Sequence, residues 1–443
     1  MVLILHLSIG VYCNMNNLLK KIIPVSDFSK NVLTLTTGAA VAQIIPIALS
    51  PILSRLYSPQ EFGVFSIFIA IASILGSIAT LRYEMAIMLP DNNKDAFNVV
   101  AVSIILSFII SLIVFVGIFF LNDEILNFTH QKGVYEYVYF IPLCIFSIGI
   151  YQTFNYWSTR LQSYKNNAFS RIAQTSFTGI INIIYGVLQK GTLGLVLGNI
   201  GGQIIAALVL AFKAMSQSKT YLKFISQKKI KYTIARYKAH ATINTLHVLL
   251  DNILSYGISF LLVFFFTDAI VGFYSFSFRI LKAPLSIIGT AMSQVFFQQA
   301  NELYNSNQSI RNLILSIYKK QFLIGIIPFL ILFVFAPVLF SFIFGKQWTE
   351  AGEVTQILAP WIFLNFLVSP VSSLPVIVNK QKQGFLITLA DILLKTAAIA
   401  IGGYYHNYVI AFLLLSSSGC LLIIFDLFWY YHIAKPINII ERR

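Results

Sequence analysis

Long apolar runs, separated by short polar stretches, occupy nearly the whole chain. Each run reaches the roughly 20 residues that a helix needs to cross a hydrocarbon core of about 30 Å. Polar residues interrupt the runs without the strict two-residue alternation of a barrel strand, so the runs read as helices. Twelve spans are predicted, at about 33–55, 62–82, 97–121, 136–158, 168–189, 192–212, 241–266, 270–297, 321–344, 355–378, 384–403 and 408–431. The seventh and eighth are joined by almost nothing, which makes Thr267 and Asp268 the turn. The fold class is therefore all-α and polytopic, with about twelve transmembrane helices.

Composition agrees. Of 443 residues, 57% are hydrophobic and 11% charged, against about 25% charged in soluble domains. The net charge of +15 would suit a nucleic-acid partner if it formed one surface, but it does not. With the N-terminus inside, the inner connections hold most of the cations, the outer ones hold Arg55, Lys132, Lys190 and Lys346, and three lie within spans. This is the positive-inside pattern of a multi-pass protein with both termini cytoplasmic. Cys13, Cys144 and Cys420 form neither a disulfide framework nor a zinc site. No metal or other cofactor is expected. The N-terminal apolar stretch precedes its lysines, the reverse of a signal peptide, and Met1 and Met15 both stand as possible starts. The segment 213–239 carries eight cations and no acid, which suits an anchor on anionic headgroups. It divides the chain into a six-helix lobe (33–212), a basic cytoplasmic linker (213–239) and a second six-helix lobe (240–431).

The lobes repeat. At a constant offset of 209 residues, Ser50 aligns with Ser259, Gly63 with Gly272, Phe65 with Tyr274 and Ser66 with Ser275. Gln43 falls opposite Asn252, and Ala70 opposite Arg279. Two parallel, pseudo-symmetric repeats are a transporter architecture, with the substrate expected between lobes that rock against each other.

The stretches "RLYSPQEFG" and "LRYEMAIMLP", within 52–90, and "VGFYSFSFRILKAP" at 271–284 resemble bacterial polysaccharide-repeat-unit flippases of the Wzx type. These belong to the multidrug/oligosaccharidyl-lipid/polysaccharide exporter superfamily. The resemblance implies a carrier of undecaprenyl-pyrophosphate-linked oligosaccharide from the inner to the outer leaflet of a bacterial cytoplasmic membrane, for O-antigen or capsule synthesis. It leaves the sugar open. Membrane lipids, a polysaccharide polymerase and a chain-length regulator are the partners such a role implies. Arg82 and Glu84 lie in the resembling motif and read either as an interfacial ion pair or as a gate and early headgroup contact.

Charges within the spans carry the remaining chemistry. Arg279 lies about 16–18 Å from the turn at Asp268, near mid-membrane. Lys282 follows one helical step later on the same face. A diphosphate would match both, through bidentate guanidinium bonds and an ammonium point charge; neutralising buried acids is the alternative. Gln43 and Asn252 are expected as further substrate contacts. Span seven presents Asn244, His247, Asp251 and Ser255 as one polar stripe. Its His247 and Asp251 could couple transport to an ion, or Asp251 could be the counter-ion of Arg279. Asp391 and Lys395 have the spacing and order of an intrahelical pair.

Other classes fit less well. A cation-coupled small-molecule exporter would favour acids over the cations of span eight. A membrane-embedded polymerase or ligase needs a nucleophile–base constellation, and the longest outer connection, 122–135, has none. No phosphate loop or HExxH occurs, so the chain is expected not to be an enzyme.

Overall fold

The computed structural model describes residues 27–120 and 132–435. The choice between Met1 and Met15, the anchors Lys20, Lys21, Arg442 and Arg443, and most of the outer connection (122–131) lie outside the described residues. The described chain is helical, with twelve long helices in the expected order. In the first half these are α1 (Asp27–Leu56), α2 (Pro59–Ser77), α3 (Asn93–Phe120), α4 (Ile141–Arg160), α5 (Tyr164–Val187) and α6 (Thr192–Ser218). In the second they are α7 (Gln227–Phe265), α8 (Asp268–Asn305), α9 (Arg311–Phe344), α10 (Thr349–Val368), α11 (Gln381–Tyr404) and α12 (Tyr408–Ile433).

Among the described residues, nine of the twelve are long and apolar enough to cross a membrane by themselves. α7 qualifies as two pieces, Asn244–Ile253 and Ser255–Phe265, bent by 41°. Here Asn252 Nδ2 donates to the Val248 carbonyl and Ser255 Oγ to that of Asp251, both at 2.8 Å. Such back-bonding bends helices. α5 is less apolar, because polar residues recur along its length. These multi-pass helices make the protein an all-α polytopic membrane protein.

Helix starts follow local chemistry. Ser58 caps α2 through a reciprocal capping box: its hydroxyl accepts from Glu61 N–H, and its own N–H donates to Glu61 Oε2 at 2.6 Å. Pro59 occupies the first turn, where its missing donor is harmless. Thr267, at the 209-residue offset from Ser58, is the N-cap of α8 with nearly the same backbone (φ −81°, ψ 160° against φ −75°, ψ 161°). The repeat therefore extends to the turn between the first two helices of each half.

Helix ends depart from the hydropathy reading. α7 begins at Gln227, α8 continues to Asn305 and α9 begins at Arg311, all well outside the apolar runs. Hydropathy marks where lipid begins, whereas Lys, Gln and Arg continue a helix readily in water. α2 ends early, at Ser77. The chain then turns through Leu81 (φ 47°) and Arg82 (φ 60°) into a short helix, Tyr83–Ala86.

Helix contacts divide the chain into two compact units, Met1–Phe260 and Leu261–Arg443. In the first, α5 packs along α1 and α6, and α4 packs against α2, α3 and α6. In the second, α11 packs along α12, and α10 against α8, α9 and α12. Four pairings thus recur at equivalent positions. Close approaches depend on glycine: a Cβ on Gly38 of α1 would come within 2.3 Å of Ala168 Cβ, and one on Gly402 of α11 within 2.4 Å of Ala411 Cβ. Small residues of this kind let membrane helices pack closely.

The basic segment 213–239 is largely helical and packs against the earlier helices of the first unit. Lys229 Nζ meets Asp95 Oδ1 at 2.9 Å, Tyr83 Oη donates to the Ile234 carbonyl at 2.9 Å, and Asn98 Nδ2 donates to that of Phe224 at 3.3 Å. Tyr221 packs edge-on to Trp157. Lys223, Lys228, Lys231, Arg236 and Lys238 remain exposed.

Candidate functional site

α8 has two distinct sides. On one, Phe276 packs among Phe340, Phe344 and Trp348. Ser277 Oγ donates to the Ala351 carbonyl at 2.6 Å. These contacts fix the helix within the second unit. The other side exposes Arg279 and Lys282. Neither makes an ion pair among the described residues. A charge at mid-bilayer costs about 2.5–3.5 kcal/mol on insertion scales, so the two together are a sizeable unpaired burden. The repeat position in the first unit, Ala70, is fully buried.

Aromatic rings support the lysines. Lys282 Nζ lies 4.5 Å from the centroid of Phe278. Phe278 adjoins Trp361 of α10 at 6.2 Å, and Lys395 Nζ of α11 lies 4.7 Å above Trp361. Trp361 sits against Gly419 of α12, where a Cβ would fall 2.4 Å from the ring. Lys395 is ion-paired with Asp391 and is near enough to repel Lys282. Ring faces attract cations by about 0.5–2 kcal/mol, so Phe278 and Trp361 hold the two lysines without neutralising them.

Beside Lys282 opens a cavity of about 380 Å³ between the middle of α8 and the C-terminal part of α10. Leu285, Ile362 and Phe366 form its apolar wall, and Ser293, Gln294, Asn365 and Ser369 its polar one. The sequence reading missed these polar residues and the two rings. The spacing of Phe278 to Lys282, four residues apart, was the available signal for the first ring; Asn365 was one isolated polar residue in an apolar span.

The other expected residues form separate local pairs. His247 Nδ1 meets Asp251 Oδ2 at 3.1 Å, with both side chains exposed. The Asn252 amide is engaged by its own helix, as above, and Gln43 lies exposed on α1.

In the first unit, Arg82 Nη1 contacts Glu84 Oε1 at 3.1 Å, and Glu84 is completely buried. The contact is ionic and lacks hydrogen-bond alignment, for Oε1 has no bonded donor. Thr80 Oγ1 donates to the other oxygen, Oε2. Burial pushes the Glu84 carboxyl above the usual carboxylate range, opposed by Thr80 and Arg82. Arg160 secures the surrounding loop, donating to the Ile87 and Pro90 carbonyls at 2.9 and 2.7 Å and to Asn93 Oδ1 at 2.9 Å.

Known structures share this fold. An inward-facing multidrug resistance MATE family transporter of the MOP superfamily superposes with a TM-score of 0.68 at 14% identity, over 89% of this chain and 94% of that one. A lipid II flippase, MurJ, in an inward closed conformation gives 0.69 at 12% identity, over 90% and 89%. A MOP superfamily transporter from Pyrococcus furiosus gives 0.50 at 13%, over 90% and 95%. At such identities the likeness is one of fold. No curated protein matches the sequence. Residues 52–353 match the family described as polysaccharide biosynthesis protein, a region that includes Arg82, Glu84, Arg279, Lys282 and the turn at Thr267. The chain belongs to that polysaccharide biosynthesis family.

Proposed function

We propose that the protein moves undecaprenyl-diphosphate-linked oligosaccharide repeat units across the bacterial cytoplasmic membrane for surface polysaccharide assembly. The observation that carries this reading is the exposed, acid-free pair Arg279 and Lys282 on α8. Arg279 lies eleven residues beyond the start of that helix, about 16 Å along its axis. Cations at such depth are retained where an anion visits them. Family membership supplies the saccharide, and a fold shared with a protein named as a lipid II flippase accords with a lipid-linked cargo.

In this mechanism the guanidinium and ammonium compensate the diphosphate while its site is exposed first to one side of the membrane and then to the other. The polyprenyl tail stays in lipid. The protein forms and breaks no covalent bond. The product then passes to a polymerase and a chain-length regulator.

The test is reconstitution in vesicles with a fluorescent undecaprenyl-diphosphate oligosaccharide and a membrane-impermeant glycosidase. Wild-type protein is expected to change the protected fraction. Arg279→Ala is expected to slow that change at least tenfold while eluting as folded protein. A folded Arg279→Ala variant that moves substrate at the wild-type rate would return Arg279 to a passive role.

A further inference from the structure

We infer that the cavity between α8 and α10 is the subsite for the first sugar, the pyranose bonded directly to the diphosphate. This rests on the assignment of Lys282 to the diphosphate. Lys282 forms part of the cavity wall. A phosphate oxygen held by its ammonium puts the next atoms of the substrate, the glycosidic carbon and its ring, inside.

The wall chemistry suits such a ring. Ser293, Gln294 and Asn365 make no side-chain hydrogen bond among the described residues, yet all line the cavity. Hydroxyls and amides both donate and accept, as sugar hydroxyls do. Leu285, Ile362 and Phe366 offer an apolar surface for the C–H face of a pyranose. No acid is among the described residues that line the cavity, and none of these favours a cationic ligand. Its volume is at the small end for ligand pockets, which suits one ring rather than a whole repeat unit. Gly289 keeps it open: a Cβ there would lie 3.0 Å from Ser369 Oγ.

The test measures equilibrium binding to the purified full chain in detergent with three probes. These are undecaprenyl diphosphate alone and the same lipid carrying one glucose or one N-acetylglucosamine. Wild type should bind at least one glycosylated probe about tenfold tighter than the bare lipid, the worth of one or two added hydrogen bonds. Asn365→Leu should abolish that preference and leave bare-lipid affinity unchanged. Gln294→Leu, at an exposed position, repeats the test should Asn365→Leu misfold. Gly289→Leu should act likewise by filling the space. Lys282→Ala should weaken all three probes together. Equal wild-type affinity for the three probes overturns the subsite, as does a preference that survives in folded Asn365→Leu or Gln294→Leu. Unchanged bare-lipid binding in Lys282→Ala overturns the diphosphate assignment instead. Absence of binding by every probe overturns both.

Discussion

Replacing Arg82 by alanine leaves Glu84 alone in a fully buried position. Two outcomes compete for that carboxyl. An unpaired buried charge costs about 3–5 kcal/mol. Taking up a proton instead costs 1.36 kcal/mol per pH unit above the unfolded-state pKa near 4.3, about 3.7 kcal/mol at pH 7. The cheaper route sets the ceiling, and burial already raises the wild-type carboxyl, so Arg82→Ala should lose at most about 3 kcal/mol at neutral pH. Its folded-state pKa then stands above the unfolded one, so the penalty grows as pH rises through that interval and fades as pH falls. At pH 5 at most about 1 kcal/mol should remain. The backbone contributes little to the difference, because alanine at φ 60° is as strained as arginine. Thermal unfolding in detergent, followed by tryptophan fluorescence between pH 5 and 8, reads the loss; Trp157 is fully buried. Adding Glu84→Gln to Arg82→Ala should restore much of the stability at pH 7 and flatten the pH dependence. An Arg82→Ala deficit of equal size at pH 5 and pH 7.5, or no rescue by Glu84→Gln, would refute the buried-charge argument.

Lys229→Ala should cost less than about 1 kcal/mol in the same unfolding measurement, because both partners of its ion pair are about half exposed; a larger loss contradicts that. Gly402→Leu should destabilise by about 1–3 kcal/mol or more through overlap with Ala411, seen as loss of monodisperse protein on size exclusion. Gly117→Ala, with nothing within 4 Å of the new methyl group, is the neutral control. Exchanging Asp391 and Lys395 tests whether their pair is static. A purely structural pair keeps transport in the vesicle assay after the exchange, whereas transport lost from a folded, exchanged protein assigns Asp391 to ion coupling.

The membrane spans were legible because roughly 20 apolar residues have few other uses, and the turn at Thr267 and Asp268 because two runs met there. Arg279 and Lys282 stood out against apolar neighbours for the same reason. Helix lengths were not legible: the lipid boundary and the end of a helix are separate physical events, and α7 extends well beyond its apolar part. The burial of Glu84 was equally hidden. A carboxylate at the end of a span ordinarily meets water, and only the folded loop, clamped by Arg160, closes over it. The cavity draws single polar residues from α8 and α10, far apart in sequence, and no local pattern joins Gln294 to Asn365.

The docked basic segment changes what a protease would meet. Eight lysines and arginines within 213–239 look like the easiest tryptic target in the chain. Trypsin, however, needs an extended, locally melted stretch, and much of this one is helix, bonded to Asp95, Asn98 and Tyr83. Cleavage therefore waits on local opening and follows its free energy. Limited digestion will not neatly release two six-helix halves; separating them requires expressing them as two polypeptides.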